Sequence, residues 1–226
     1  MHFVLLGLLA LTVMLGPNLW VRWVMGRHGV ARPELEHTGA SLARMLVADH
    51  GLGGVTVEPS KIGDHYDPNE RAIRLSPAVH DRRSVAALAV AAHEFGHALQ
   101  HAHDYHPLVV RSRILSFTGV FESWSGKALL VSPLVLTVAP GLSRLLLMFG
   151  AFGMLIGVPA TLINLPVEFD ASFGRALPLI EKRKLLSNRD MAAAKQVLTA
   201  AAFTYVAGAL GRLLSIRRWF RVLTRR

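Results

Sequence analysis

The sequence predicts a predominantly helical α+β domain carrying transmembrane helices. Residues 3–21 hold no charge, and residues 128–167 hold a single one, Arg144. Between these apolar stretches lie two short runs with strand patterning, 55–57 and 71–75. A serine-capped, alanine-rich stretch from Ser84 to about His103 has the composition of a centrally buried helix.

Composition agrees with this class. Hydrophobic residues make up 52% of the 226-residue chain and charged residues 18%, which excludes a disordered polymer. The formal net charge of +10 sits mostly beside apolar spans. No aromatic platform is interleaved with the cations, so the lipid bilayer is an expected partner and nucleic acid is not. The absence of cysteine excludes disulfides, Cys-ligated metals and a thiol nucleophile.

Each element can be justified in order. Residues 3–21 would extend roughly 28 Å as a helix, close to the bilayer core. With neither a basic leader nor a small-x-small cleavage site, they predict a retained N-terminal transmembrane helix within 1–25. Trp20 and Trp23 then fall at the interface, followed by Arg27 and Arg32. Residues 26–120 are polar enough for a water-facing catalytic region. There a helix is expected from Pro33 to about Asp49, stopped by Gly51. Strands follow at Val55–Val57 and Arg71–Leu75, with a turn or loop at Gly63–Asn69 between them. Residues 121–166 predict a transmembrane hairpin with legs near 121–140 and 145–165. Residues 167–226 would form a further helical region, with an apolar stretch at 197–214 and a basic end.

The chemistry centres on His93-Glu94-Phe95-Gly96-His97, an HExxH sequence inside the predicted Ser84 helix. Spacing of i, i+4 puts both imidazoles on one helix face, one turn apart, within reach of one Zn²⁺. Glu94 then stands beside the metal, where a carboxylate can take a proton from an attacking water. A third ligand must come from elsewhere. His101 lies about 12 Å along a straight helix from His93, too far to share one ion. His103 would serve only if the helix turned back at position 100, where Gln100 stands rather than glycine. No histidine occurs beyond His106, so a later ligand would be an acid; Glu168 and Asp170 stand directly after the second hairpin leg. An acid beside a span is costly unless paired or ligating.

The strings Asp64-His65-Tyr66-Asp67-Pro68, Arg74-Leu75-Ser76, Val90 to Gln100 and Asn164 to Ser172 together resemble the YugP-like membrane zinc metallopeptidases of bacteria. That family has a general likeness to HtpX-type enzymes, which place a transmembrane hairpin between HExxH and a glutamate ligand. The resemblance implies a zincin-like metallopeptidase domain, with His93, His97 and Glu168 as zinc ligands and Glu94 as general base. The HtpX pattern also places an aspartate four residues after the glutamate. Here Ser172 holds that position, and Asp170 is the alternative support for a zinc histidine. Zincins commonly pair an extended substrate with the strand before the motif helix, which would be 71–75. Tyr66, His65 and Tyr205 are candidates for stabilising the oxyanion.

The expected protein is a membrane-embedded zinc-dependent endopeptidase that hydrolyses polypeptides by zinc-activated water. Its rival is a zinc-stabilised membrane adaptor or chaperone without catalysis. Arginines and lysines after the first span and on both sides of the hairpin put the catalytic region on the cytoplasmic face of the bacterial inner membrane.

Overall fold

The computed structural model describes the backbone of residues 2–224 and the side chains of all but short runs, chiefly 2–11, 157–161 and 209–224. Helix α1 spans His2–His28 and continues through Pro17. Helix α2 spans Gly39–Asp49. It begins later than the sequence predicts, because Thr38 and Ser41 form a reciprocal capping box that fixes the start. Gly51, at φ 68°, turns the chain out of it.

Three strands follow: β1 (Thr56–Pro59), β2 (His65–Asp67) and β3 (Ala72–Leu75). They form one sheet in the order β1-β3-β2, with β1 parallel and β2 antiparallel to β3. Two expectations are corrected here. The stretch read as loop at 63–69 contains β2, which its turn-rich composition concealed. The strand expected to pair with substrate, 71–75, is β3, the central one, paired on both edges.

Pro77 opens the short helix α3 (Pro77–His80). Ser84 then caps helix α4 (Val85–Ala102), its side chain accepting from the Ala87 N–H at 3.1 Å. Helices α5 (His106–Val135) and α6 (Pro140–Phe169) follow. Both are longer than the legs expected from apolarity alone. A π-helical segment, Asp170–Ala176, continues from α6, and α7 (Leu177–Lys182) and α8 (Asn188–Thr224) complete the chain. The result is predominantly helical with a small sheet, as the sequence predicts.

Two compact units emerge. One comprises 1–16, 109–165 and 205–226; the other comprises 17–108 and 166–204. The second has a core of Leu42, Leu46, Ile73, Leu75, Leu88, Phe95, Ile180 and Leu198, all essentially fully buried. In it α4 is central and buried on nearly every side, which its alanines permit.

In the other unit, α5 and α6 meet through small residues. Ser143 Oγ donates to the Ser132 carbonyl at 2.7 Å. Gly150 and Gly153 lie against Leu129 and Ser125 with no room for a methyl group. The polarity is inverted: Ser132 and Ser143 are 0% and 1% exposed, whereas Leu134 and Leu145 are 75% and 64% exposed. Among the described residues no helix is long and apolar enough to cross a membrane. The stretches 3–21, 145–165 and 197–214 each run through positions whose side chains lie outside the described residues.

Candidate metal centre

The middle of α4 supplies His93, Glu94 and His97, and the last turn of α6 supplies Glu168. The two elements meet because Gly96, between the histidines, has no side chain: a Cβ there would lie 2.6 Å from the Ala171 carbonyl oxygen. Such an approach is closed to any larger residue. The π-helical segment widens the turn after Glu168. Ala171 and Ser172 are buried there, and Ser172 reaches His93 across the gap.

Three ligand-type atoms converge. His93 Nε2 and His97 Nε2 are 3.2 Å apart. Glu168 Oε2 lies 3.2 Å from the first and 3.4 Å from the second. Ligands held at about 2.0–2.1 Å around a tetrahedral ion stand roughly 3.3–3.4 Å from one another. The observed triangle fits one face of that tetrahedron and leaves its fourth corner for water or substrate. Among the described residues this is the only such group of three.

The tautomers fit as well. Gln100 is fully buried, and its Nε2 donates to the Val167 carbonyl and to Asp170 Oδ2, both at 2.8 Å. Its Oε1 therefore faces His97 Nδ1, at 2.9 Å, and must accept from it. Ser172 Oγ stands 2.9 Å from His93 Nδ1. The Ser172 hydroxyl can accept from His93 Nδ1–H as Gln100 accepts from His97, the arrangement that turns both Nε2 lone pairs to the shared position. Asp170 is held in turn by Arg175 Nε at 2.6 Å. Arg175 also donates to His103 Nδ1 at 3.3 Å and stacks on Tyr105.

Burial pushes the Glu168 carboxyl up, but its contacts with His93 and His97 outweigh that and hold it well below the usual carboxylate range. Burial pulls His97 down, and the adjacent Glu168 more than reverses this, so its pKa is raised. Glu94 moves the other way. Desolvation raises its pKa against the opposing charges of His93 and His97, and among the described residues its carboxylate has no hydrogen-bond partner.

The remaining candidates are not among the three converging ligand atoms. His101 Nδ1 meets the Tyr66 hydroxyl at 2.8 Å. His103 is the C-cap of an unbroken α4. His65 Nδ1 contacts the Gly63 carbonyl, and Tyr205 belongs to the other unit. Asp170 supports His97 only through Gln100, a residue the sequence brought forward solely as an obstacle to a His103 ligand. Its role had no signal in spacing, because both its acceptors lie near the far end of α6.

A profile for a family described as "Putative neutral zinc metallopeptidase" matches residues 3–224. The chain belongs to this zinc metallopeptidase family, and its cofactor is zinc. It is 35% identical over 221 residues to a protein of Bacillus subtilis (strain 168) named "Putative membrane protease YugP", an alignment covering 97% of this chain and 95% of that one. The family resemblance drawn from the motifs is thereby borne out. No solved structure matches the chain.

Proposed function

We propose that the chain is a membrane-embedded endopeptidase in which His93, His97 and Glu168 hold the zinc ion and Glu94 is the general base. The observation carrying this is the 3.2–3.4 Å triangle of His93, His97 and Glu168 atoms beside a desolvated carboxylate, Glu94. The ion, when bound, supplies a Lewis acid that polarises the scissile carbonyl and acidifies water. Glu94 takes the proton of the attacking water on its carboxylate and delivers it to the leaving amine. Desolvation raises its affinity for that proton, which suits a base that must also act as an acid. A purely structural zinc site, as the adaptor reading requires, has no use for a desolvated carboxylate at this position.

Polypeptide binding is supported by β2. Its outer edge has no partner strand among the described residues, and it begins beside Asp64, whose charge acts on Glu94. An extended peptide adding to this edge would be recognised through its backbone, with few demands on sequence. Membrane embedding is supported by the inverted hairpin of α5 and α6, with serines inside and leucines outside, the pattern of helices packed in lipid. The basic flanks put the catalytic unit on the cytoplasmic side, and labelling of a single cysteine at position 81 from the outer side would overturn that orientation.

The test is zinc content and casein turnover of purified wild type and Glu94→Gln. The variant should keep one zinc and lose at least ~10²-fold in turnover. Unchanged turnover with full zinc would refute the assigned base.

A further inference from the structure

A cavity of about 700 Å³ opens beside the last turn of α1. Trp23, Arg27 and His28 of α1 line it, with Arg32 from the following loop and Arg189 and Gln196 from α8. Such a volume is that of a small-molecule site. Three arginines face one carboxylate, Asp190, and that carboxylate is already engaged. It accepts from Arg32 at 3.1 Å and from the Ser187 hydroxyl at 2.8 Å. Arg32 also pairs with Glu34, so its charge is matched within the protein.

Arg27 and Arg189 are different. Neither makes a direct ion pair among the described residues, although the Arg189 charge also acts on Asp190 from a distance. The Arg27 guanidinium lies 5.2 Å from the Trp23 ring centroid, a stacking that holds it while leaving its N–H edge available to an acceptor. His28 Nε2 meets Gln196 Oε1 at 2.8 Å and ties α1 to α8, so cations from two elements are held around one space. Two more gather at the same loop: Arg82 donates to the Gly29 carbonyl and Arg83 to the Pro33 carbonyl. Guanidinium groups from two elements lining one polar cavity, in excess over its single carboxylate, match phosphate oxygens. Trp23 is exposed at its edge, at the end of the helix read as the first span. That is where headgroups lie.

We propose that this cavity binds the phosphodiester headgroup of an anionic lipid through Arg27 and Arg189. The phosphodiester is the chemistry recognised; the lipid as its source rests on the membrane reading above.

The full chain, purified in neutral detergent, is titrated with short-chain phosphatidylglycerol, glycerophosphoglycerol and inorganic phosphate. Phosphatidylglycerol should bind one to one. Arg27→Gln with Arg189→Gln should weaken it at least ~10-fold, in keeping with the loss of two charge-assisted contacts, while Lys61→Gln with Arg71→Gln, outside the cavity, should leave it unchanged. Equal binding by both double variants would overturn the site. Equal affinity for lipid and the soluble phosphates, with the same dependence on Arg27 and Arg189, would overturn the lipid as source. Recovery of the chain in the aqueous fraction without detergent, or failure to float with phosphatidylcholine vesicles, would refute the membrane reading separately. Zinc content reports folding of each variant, and Arg189→Gln alone, at an exposed position, carries the comparison if the double variant loses its zinc.

Discussion

Gly96 faces the backbone of Ala171 so closely that a methyl group on Gly96 would stand 2.6 Å from the Ala171 carbonyl oxygen. This contact brings the two sources of the metal centre together, since Ala171 lies three residues past Glu168 and Gly96 lies between the two histidines. Gly96→Ala should therefore separate α4 from the π-helical segment. We expect a loss of about 1–3 kcal/mol in urea unfolding, the usual cost of overpacking, together with weaker zinc binding. Gly126→Ala, where no atom lies within 4 Å, is the control and should be neutral or slightly stabilising. Equal behaviour of the two variants would show that the close approach is not needed.

Gln100 connects His97 to the end of α6 and to Asp170 through three bonds of 2.8–2.9 Å. Gln100→Leu keeps the volume and removes all three. The His97 ring then loses the acceptor that fixes its tautomer. Zinc affinity should fall about 10–100-fold, the range seen when a ligand's supporting partner is lost. Competition against a fluorescent zinc chelator measures it, and an unchanged dissociation constant would assign Gln100 to packing alone.

Glu168 and His103 offer opposite outcomes. Glu168→Ala removes one corner of the ligand triangle and should lose zinc or weaken it at least ~10-fold. His103→Ala removes a C-cap side chain that contacts Arg175, so zinc stoichiometry should stay at one. Metal analysis after dialysis decides. Zinc lost from His103→Ala but kept by Glu168→Ala would reverse the ligand assignment.

Zinc affinity should also depend on pH with a definite sign. Without the ion, His97 is raised above its ordinary value of about 6.5 by Glu168. The ion must displace that proton, so affinity is full above the raised value and falls as pH drops through it, by at least about tenfold per unit below. Glu168, held well below the usual carboxylate range, stays ionised between pH 5 and 8 and adds no slope. Zinc titrations from pH 5.5 to 8.5 test this, and a flat profile would contradict it.

The sequence by itself determined those features that depend on local periodicity. Residues 93 and 97 share a face because a helix repeats every 3.6 residues, and Ser84 starts that helix because its hydroxyl satisfies an otherwise unpaired N–H. The family likeness was equally legible, because the motifs around 64–68, 93–100 and 164–172 are contiguous strings. Tertiary structure alone decided what depends on chain segments meeting. The three-residue β2 exists only because β3 offers it a partner, and nothing in 65–67 outweighs the surrounding turn residues. Gln100 looks like a helix-end polar residue until Val167 and Asp170 arrive against it. The choice between Asp170 and Ser172 as support for a histidine could not be made by counting along an ideal helix. The chain passes into a π-helical turn at Asp170, which shifts every later side chain around the axis and puts the Ser172 hydroxyl, not a carboxylate, on His93.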